Sequence, residues 1–314
     1  MEKLTEYRDE IERVFAEAAN EASRFPAPFD RIGHTLLDRC NPRSAGGRTN
    51  LVCFLLPFWL KERTESSDTL CLNLAVGNVF AMLHFFLLDD VIDGDAGEGG
   101  IGAREALLLS ELCRERFRAY YNRHFGADSA LWAYERRYLE EWTRAVADER
   151  KVPADPRDPE RLARKSAPLK LSSTGMLLLA GRQADIPRLS EAIELVLATL
   201  QLSDDWADWR EDLAQEQANA FLELVREGAE LPPDEPLTER RVRQAIYRES
   251  ALDRLAGIAR TYGERLDAMA DVPPPLLDFH EEMYRELVRD AAAAQETVRR
   301  LAAEGGFSYF LSKR

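Results

Sequence analysis

The sequence predicts an all-α protein, and three observations carry that prediction. Ala, Leu, Glu and Arg, residues that favour helices, dominate the chain. Apolar residues recur at spacings of three and four, the repeat of a helix with one buried face. Valine-rich runs alternating apolar and polar residues, the mark of half-buried strands, are missing. With no internal repeat, low-complexity tract or clear linker, residues 1–314 read as a single helical domain.

The elements follow in order. LTEYRDEIERVFAEAANEASRF is an amphipathic opener that stops before PAPF, because proline disfavours helical geometry in the residue preceding it. A second helix is expected near 30–40. After the loop NPRSAGGR comes the apolar TNLVCFLLPFWL, which Pro57 is expected to bend or interrupt, since proline removes a backbone donor. A long apolar helix follows from about Thr69 to Asp93, ended by the glycine-rich GDAGEGGIG. Helices near 102–124 and 128–149 are separated by GADS, and KVPADPRDPE is a proline-broken loop. Over 159–181 the pattern is helical, but Pro168 and Gly175 predict a kinked or broken helix. Another long helix runs from Pro187 to about Leu213, and EGAELPPDEPLTE and DVPPP divide the remainder into three more.

Hydrophobic residues make up 45% and charged residues 31%, the balance of a soluble globular protein. The net charge of −14 argues against nucleic acid or an anionic membrane as a partner. The charged start MEKLTEYRDEIERVF lacks the apolar stretch of a signal peptide. Apolar runs such as 74–88 are shorter than a comfortable span and end in acids, so no stable membrane insertion is expected. Cys40, Cys53, Cys71 and Cys113 show neither CxxC nor zinc-like spacing and read as free thiols in a reducing compartment, which makes the expected location cytoplasmic. His34, His84, His124 and His280 are too scattered for a zinc site.

Chemistry is concentrated in two acidic stretches. FFLLDDVIDGD places Asp89, Asp90 and Asp93 at the tail of an apolar helix, with Asp89 and Asp93 one turn apart. LQLSDDWADWREDL places Asp204, Asp208 and Asp212 at i, i+4 and i+8, a line of carboxylates down three turns, flanked by Asp205 and Glu211. Like charges so close repel, and a divalent cation removes that penalty. Mg²⁺ takes hard oxygen ligands, few of them carboxylates, and keeps positions open for phosphate oxygens. One DDxxD string is a weak signal, because acid-rich helix ends are common on solvated surfaces. Two of them, each following an apolar run that reads as buried, favour a pair of metal-binding helices with Asp89, Asp90, Asp93, Asp204, Asp205, Asp208 and Asp212 as candidate ligands.

LLDDVIDGD resembles the first aspartate-rich motif of the all-trans isoprenyl diphosphate synthases and class I terpene synthases. LQLSDDWADWREDL is similar to the second: it matches the FQxxDDxxD of the prenyl synthases. Asp204, Asp208 and Asp212 also occupy the three ligand positions of the cyclases' (N/D)DxxSxxxE, with Asp where Ser or Thr and then Glu are usual. NAFLELVREGAE also resembles the family, and the likeness covers roughly residues 40–230. It implies a class I terpenoid synthase-like helical bundle around a central apolar cavity, with the two acidic helices facing across it. It further implies three Mg²⁺ ions clamping the diphosphate of an allylic prenyl substrate, and an antiparallel homodimer. Asp89, Asp90, Asp93, Asp204, Asp208 and Asp212 would be the catalytic set.

The family divides by what the allylic cation meets. Elongating members hold a second diphosphate with a GGKRxR motif and paired arginines after the first DDxxD. Here AGGRTN keeps only Gly46, Gly47 and Arg48 of that motif, Glu98 stands in the region normally basic, and Arg104 is the first cation after the acids. The expected activity is therefore a terpene cyclase using one diphosphate. The alternatives are a trans-prenyltransferase adding isopentenyl diphosphate, with Arg43 and Arg48 as its anion site, and a catalytically silent helical partner subunit. RLARKSAPLK offers Arg161, Arg164, Lys165 and Lys170 around a helix break, a setting that suits a diphosphate, and otherwise reads as an ordinary cationic surface. Tyr284 and Arg285 resemble the cyclases' Arg-Tyr pair in reversed order, or Arg285 pairs with Glu281 or Glu282. Phe54, Phe58, Trp59, Phe80, Phe85 and Phe86 are candidates to line the cavity and stabilise cations with their faces, or are simply core.

Overall fold

The computed structural model describes residues 6–44, 51–94, 101–148, 152–232 and 235–303, and all regular structure among them is helical. The α-helices are α1 (Arg8–Ala22), α2 (Phe29–Cys40), α3 (Leu51–Trp59), α4 (Asp68–Asp93), α5 (Ala103–Asn122), α6 (Leu131–Asp148) and α7 (Pro159–Ala163). They continue with α8 (Lys170–Leu179), α9 (Ile186–Gln215), α10 (Ala220–Gly228), α11 (Glu239–Arg248), α12 (Ala251–Ala268) and α13 (Pro274–Ala303). The chain divides into two compact units, one of residues 1–138 and 168–186, the other of 139–167 and 187–314.

In the first unit α4 is the central helix, packed most extensively along α5 and also against α3 and α1. Ser67 caps it by accepting the Leu70 N–H at 3.2 Å, and Gly94 ends it in the left-handed conformation, φ 87°. The apolar stretch is longer than the run 74–88: a 26-residue helix that length and composition alone would allow to cross a membrane, with 78% of its apolar window buried inside the structure. Burial against neighbouring helices accounts for that apolar character.

Of the bend or interruption expected in α3 at Pro57, the interruption is not found. The helix continues through the proline to Trp59, and the missing donor is replaced from another helix. Proline at 57 leaves the carbonyl of Cys53 without its i+4 partner, and Asn78 Nδ2 of α4 donates to that oxygen at 2.7 Å. The Tyr121 hydroxyl of α5 in turn donates to Asn78 Oδ1 at 2.6 Å. The helix expected over 159–181 is broken as predicted at Pro168, where residues Arg164–Leu169 form a 3₁₀ turn. Gly175 is a different case: it lies inside α8 and makes room for a neighbour, since a Cβ there would come within 2.7 Å of Phe125 Cζ.

In the second unit α12 packs against α13, and α10 and α11 complete the group. Among the described residues the chain after α9 holds four helices rather than three. Ser250, at φ 52°, separates α11 from α12 where the sequence carries neither Gly nor Pro. Of the four thiols, Cys53, Cys71 and Cys113 are buried and Cys40 is half-buried, and none is in a disulfide. Burial pushes the Cys71 thiol up to about 11 and that of Cys113 up to about 12.

Candidate metal centre

The first acidic row is the last turn of α4. Asp89 and Asp93 are half-buried and Asp90 is exposed. No basic residue stands in that last turn, so three carboxylates crowd the negative end of a helix dipole, where cations are favoured. One turn earlier His84 fixes the helix against α5: its Nδ1 lies 2.7 Å from Ser110 Oγ, both residues being buried. Burial lowers the His84 pKa, as expected of an imidazole kept neutral in a packed interface.

The second row is on α9, and its five acids are not equivalent. Asp204 and Asp208 are exposed, Asp212 is half-buried and Asp205 is 5% exposed. The phase of the helix explains this. Leu202 and Trp209 are buried, and Asp205 lies three residues after the one and four before the other, so it falls on the apolar stripe. Both of its carboxylate oxygens are engaged: Gln201 Nε2 donates to Oδ1 at 2.7 Å and the Ala220 backbone N–H to Oδ2 at 2.7 Å. Burial drives its pKa up to about 7 against those two donors.

Ala220 opens α10, and its N–H is one of the donors a helix start leaves without an internal partner. Asn219 is the N-cap, its Oδ1 accepting from Leu222 N at 2.9 Å. The same side chain reaches back to α9, where Nδ2 donates to the Asp205 carbonyl at 2.7 Å and to Asp212 Oδ2 at 2.6 Å. Glu216, at φ 55°, and the bond from Gln217 N to Asp212 O at 2.9 Å turn the chain out of α9. Burial raises the Asp212 pKa, opposed by the Asn219 bond and more weakly by Lys165.

Of the basic residues singled out from the sequence, Lys165 acts electrostatically on Asp212. Arg161 Nη2 donates to the Val152 carbonyl at 2.7 Å, and Arg164 pairs with Glu160 at 2.9 Å. Lys170, in the first unit, is buried with Nζ 4.7 Å from the Tyr138 ring centre. Arg285 pairs with Glu281 at 2.7 Å one turn away on α13, and Tyr284 is half-buried. Arg43 is paired with Glu12, whereas Gly46, Gly47, Arg48 and Glu98 lie outside the described residues.

Four of the six aromatic candidates are buried. Phe54 and Phe80 are fully buried, edge-on to Phe15 and Phe25 of the N-terminal segment at 5.2 and 6.1 Å between ring centres. Phe58 and Trp59 are buried, Phe85 is half-buried against His84, and Phe86 is exposed. A hollow of about 360 Å³ lies between α1 and α2, lined by Phe15, Leu37, His34 and Asp38 among others, and none of the aspartates of either row borders it.

Among the described residues, no three His, Cys, Asp or Glu side chains are grouped closely enough to cage a metal ion. The donor chemistry of both rows is nevertheless all oxygen, which suits Mg²⁺ bound through one or two carboxylates with water and phosphate completing its shell. Sequence reasoning missed Asn219 and Gln201. Asn219 carried a readable signal, a capping residue just before the apolar run AFLELV, but nothing local ties it to Asp212.

No protein-family model matches the chain, and no curated protein matches it.

Proposed function

We propose that the chain is a Mg²⁺-dependent class I isoprenoid synthase of the terpene-cyclase type, acting on a linear prenyl diphosphate. The observation that carries this reading is the line Asp204, Asp208 and Asp212 on α9, from which the adjacent Asp205 is withdrawn into the packing. Helix phase commits Asp205 to the packing and leaves Asp204 and Asp208 exposed, and it is the exposed part of the row that a cation would use. The last turn of α4, in the first unit, carries three further acids at the dipole's negative end.

In this reading Asp204, Asp208 and Asp212 on the one unit, and Asp89, Asp90 and Asp93 on the other, would hold cations for a diphosphate, and Asp205 belongs to the scaffold. Bound Mg²⁺ supplies charge neutralisation to the leaving group. The allylic C–O bond breaks with its electron pair going to pyrophosphate, and an internal double bond of the same substrate captures the carbocation. Loss of a proton then gives a hydrocarbon, or addition of water followed by loss of a proton gives an alcohol. Lys165, which acts electrostatically on Asp212, is the candidate cation to meet the diphosphate's negative charge. The weak basic character after the first motif, with Arg104 alone in the sequence segment 94–104, favours one diphosphate over two.

The test is incubation of the purified chain with C10 to C25 prenyl diphosphates and Mg²⁺, with and without isopentenyl diphosphate. Hydrocarbon or alcohol together with pyrophosphate, formed without the second substrate and abolished by Asp89→Ala and by Asp204→Ala, is the expected result. Longer diphosphates formed only with isopentenyl diphosphate would make the chain a prenyltransferase. No pyrophosphate under either condition would leave a non-catalytic helical subunit.

A further inference from the structure

The α9–α10 junction places one amide between the scaffold and the acidic row. Asn219 is 4% exposed and makes three bonds at once: it caps α10 through Leu222 N, holds the carbonyl of Asp205, and donates to Oδ2 of Asp212. The neighbouring Asp205 closes the same junction from the other side by accepting the Ala220 N–H. A carboxylate at a helix surface ordinarily rotates about two side-chain bonds. Here one of its oxygens is tied to a buried amide that is itself fixed at two further points.

We infer that Asn219 is a positioning residue for Asp212: it ties up Oδ2 and presents Oδ1 as a single, pre-oriented oxygen ligand for a divalent cation. This rests on the function proposed above. Residues that hold a ligand in this way are commonly worth an order of magnitude in metal affinity, because the ligand enters the coordination shell without first losing its freedom of rotation.

The experiment reads metal binding directly. Mn²⁺, a paramagnetic stand-in for Mg²⁺, is titrated into the purified full chain with inorganic pyrophosphate while free Mn²⁺ is followed by electron paramagnetic resonance. Thermal unfolding in chelator is recorded in parallel. Asn219→Ser keeps an N-cap of similar quality but is too short to hold Asp212, and Asn219→Asp keeps size and cap while replacing the donor by a carboxylate. Both are expected to weaken Mn²⁺ binding by about tenfold. On an Asp212→Ala background the loss from either substitution should shrink to less than about twofold, because the residue it acts through is gone.

Wild-type affinity in both variants, with Asp208→Ala still impaired, would overturn the positioning role alone. So would an equal loss with and without Asp212, which would mean general loosening of the junction. If Asn219→Ser fails to fold, Asn219→Asp decides by the same criteria. Failure of the wild-type chain to bind Mn²⁺ with pyrophosphate, or indifference of binding to Asp204→Ala and Asp208→Ala together, would sink the functional reading and this inference with it.

Discussion

Asn78 Nδ2 lies 2.7 Å from the carbonyl oxygen of Cys53, the acceptor that Pro57 leaves without a helical donor. A residue twenty-five positions along the chain thus completes the hydrogen bonding of α3, and Tyr121 completes that of Asn78. Replacing Asn78 by Ala strands a buried carbonyl and leaves the Tyr121 hydroxyl with Ser172 as its remaining side-chain partner, and should cost about 1–3 kcal/mol. Adding Pro57→Ala restores an N–H for Cys53 and should recover about 1 kcal/mol of that loss. Urea unfolding of the two single variants and the double variant measures both quantities, and simple additivity would refute the relay.

Gly175→Ala should lower stability even though alanine is the better helix former. The added methyl meets Phe125 Cζ at 2.7 Å, and that ring is buried, stacked on Tyr121 and edge-on to Trp132, so it has nowhere to swing. The overpacking cost of about 1–3 kcal/mol exceeds the propensity gain of about 1 kcal/mol. A lower midpoint in thermal unfolding is the expected outcome.

The acids of α9 should separate into two classes by stability in the absence of metal. Asp205→Ala leaves the Ala220 N–H and the Gln201 amide without their acceptor and should cost about 2–3 kcal/mol. Asp204→Ala and Asp208→Ala, at exposed positions, should stay within about 0.5 kcal/mol of the parent. Chemical denaturation in chelator checks this, and a destabilisation of Asp208→Ala as large as that of Asp205→Ala would contradict the sorting described here.

Protonation of His280 should work against stability in mild acid. His280 is buried beside Gly263, with Glu281 and Asp267 the acids acting on it and the Ala259 backbone its hydrogen-bond partner. Among the described residues its Nε2 has no partner. Burial lowers its pKa below the ordinary 6.5, so the unfolded chain takes up a proton that the folded chain refuses. Its contribution is intact above pH 6.5 and is lost as pH drops below that value, by at most about 1.4 kcal/mol per pH unit. Asp205 works in the opposite sense: with its pKa raised from 3.8 to about 7, its contribution declines as pH rises through that interval. Comparing denaturation near pH 5.5 and pH 7.5, His280→Gln should show a smaller difference than the parent.

Much of the helical layout was written in local signals. Pro26 and Pro28 follow the end of α1, Ser67 and Gly94 bracket α4, and Pro168 breaks the segment between α7 and α8. What escaped was decided at a distance. Pro57 reads as a break until Asn78 is seen to supply the donor, and Gly175 reads as a weak point until Phe125 fills its space. Ser250 turns the chain in a conformation that its type gives no reason to expect. In the acidic row the difference between Asp204 and Asp205 was legible but went unread, because Leu202 and Trp209 already define the buried stripe that Asp205 joins. The tie from Asn219 to Asp212 was beyond reach, since it depends on how tightly the chain reverses between them.

The sulfur chemistry of the first unit has a practical side. Cys53, Cys71 and Cys113 are shielded, with their ionisation suppressed, while Cys40 at the end of α2 is partly accessible. Alkylation needs the thiolate, so a maleimide should mark Cys40 first and reach the others only when the surrounding helices part. The native chain therefore comes with one attachment point for a fluorophore and three internal timers, whose labelling rates would report how often this unit breathes.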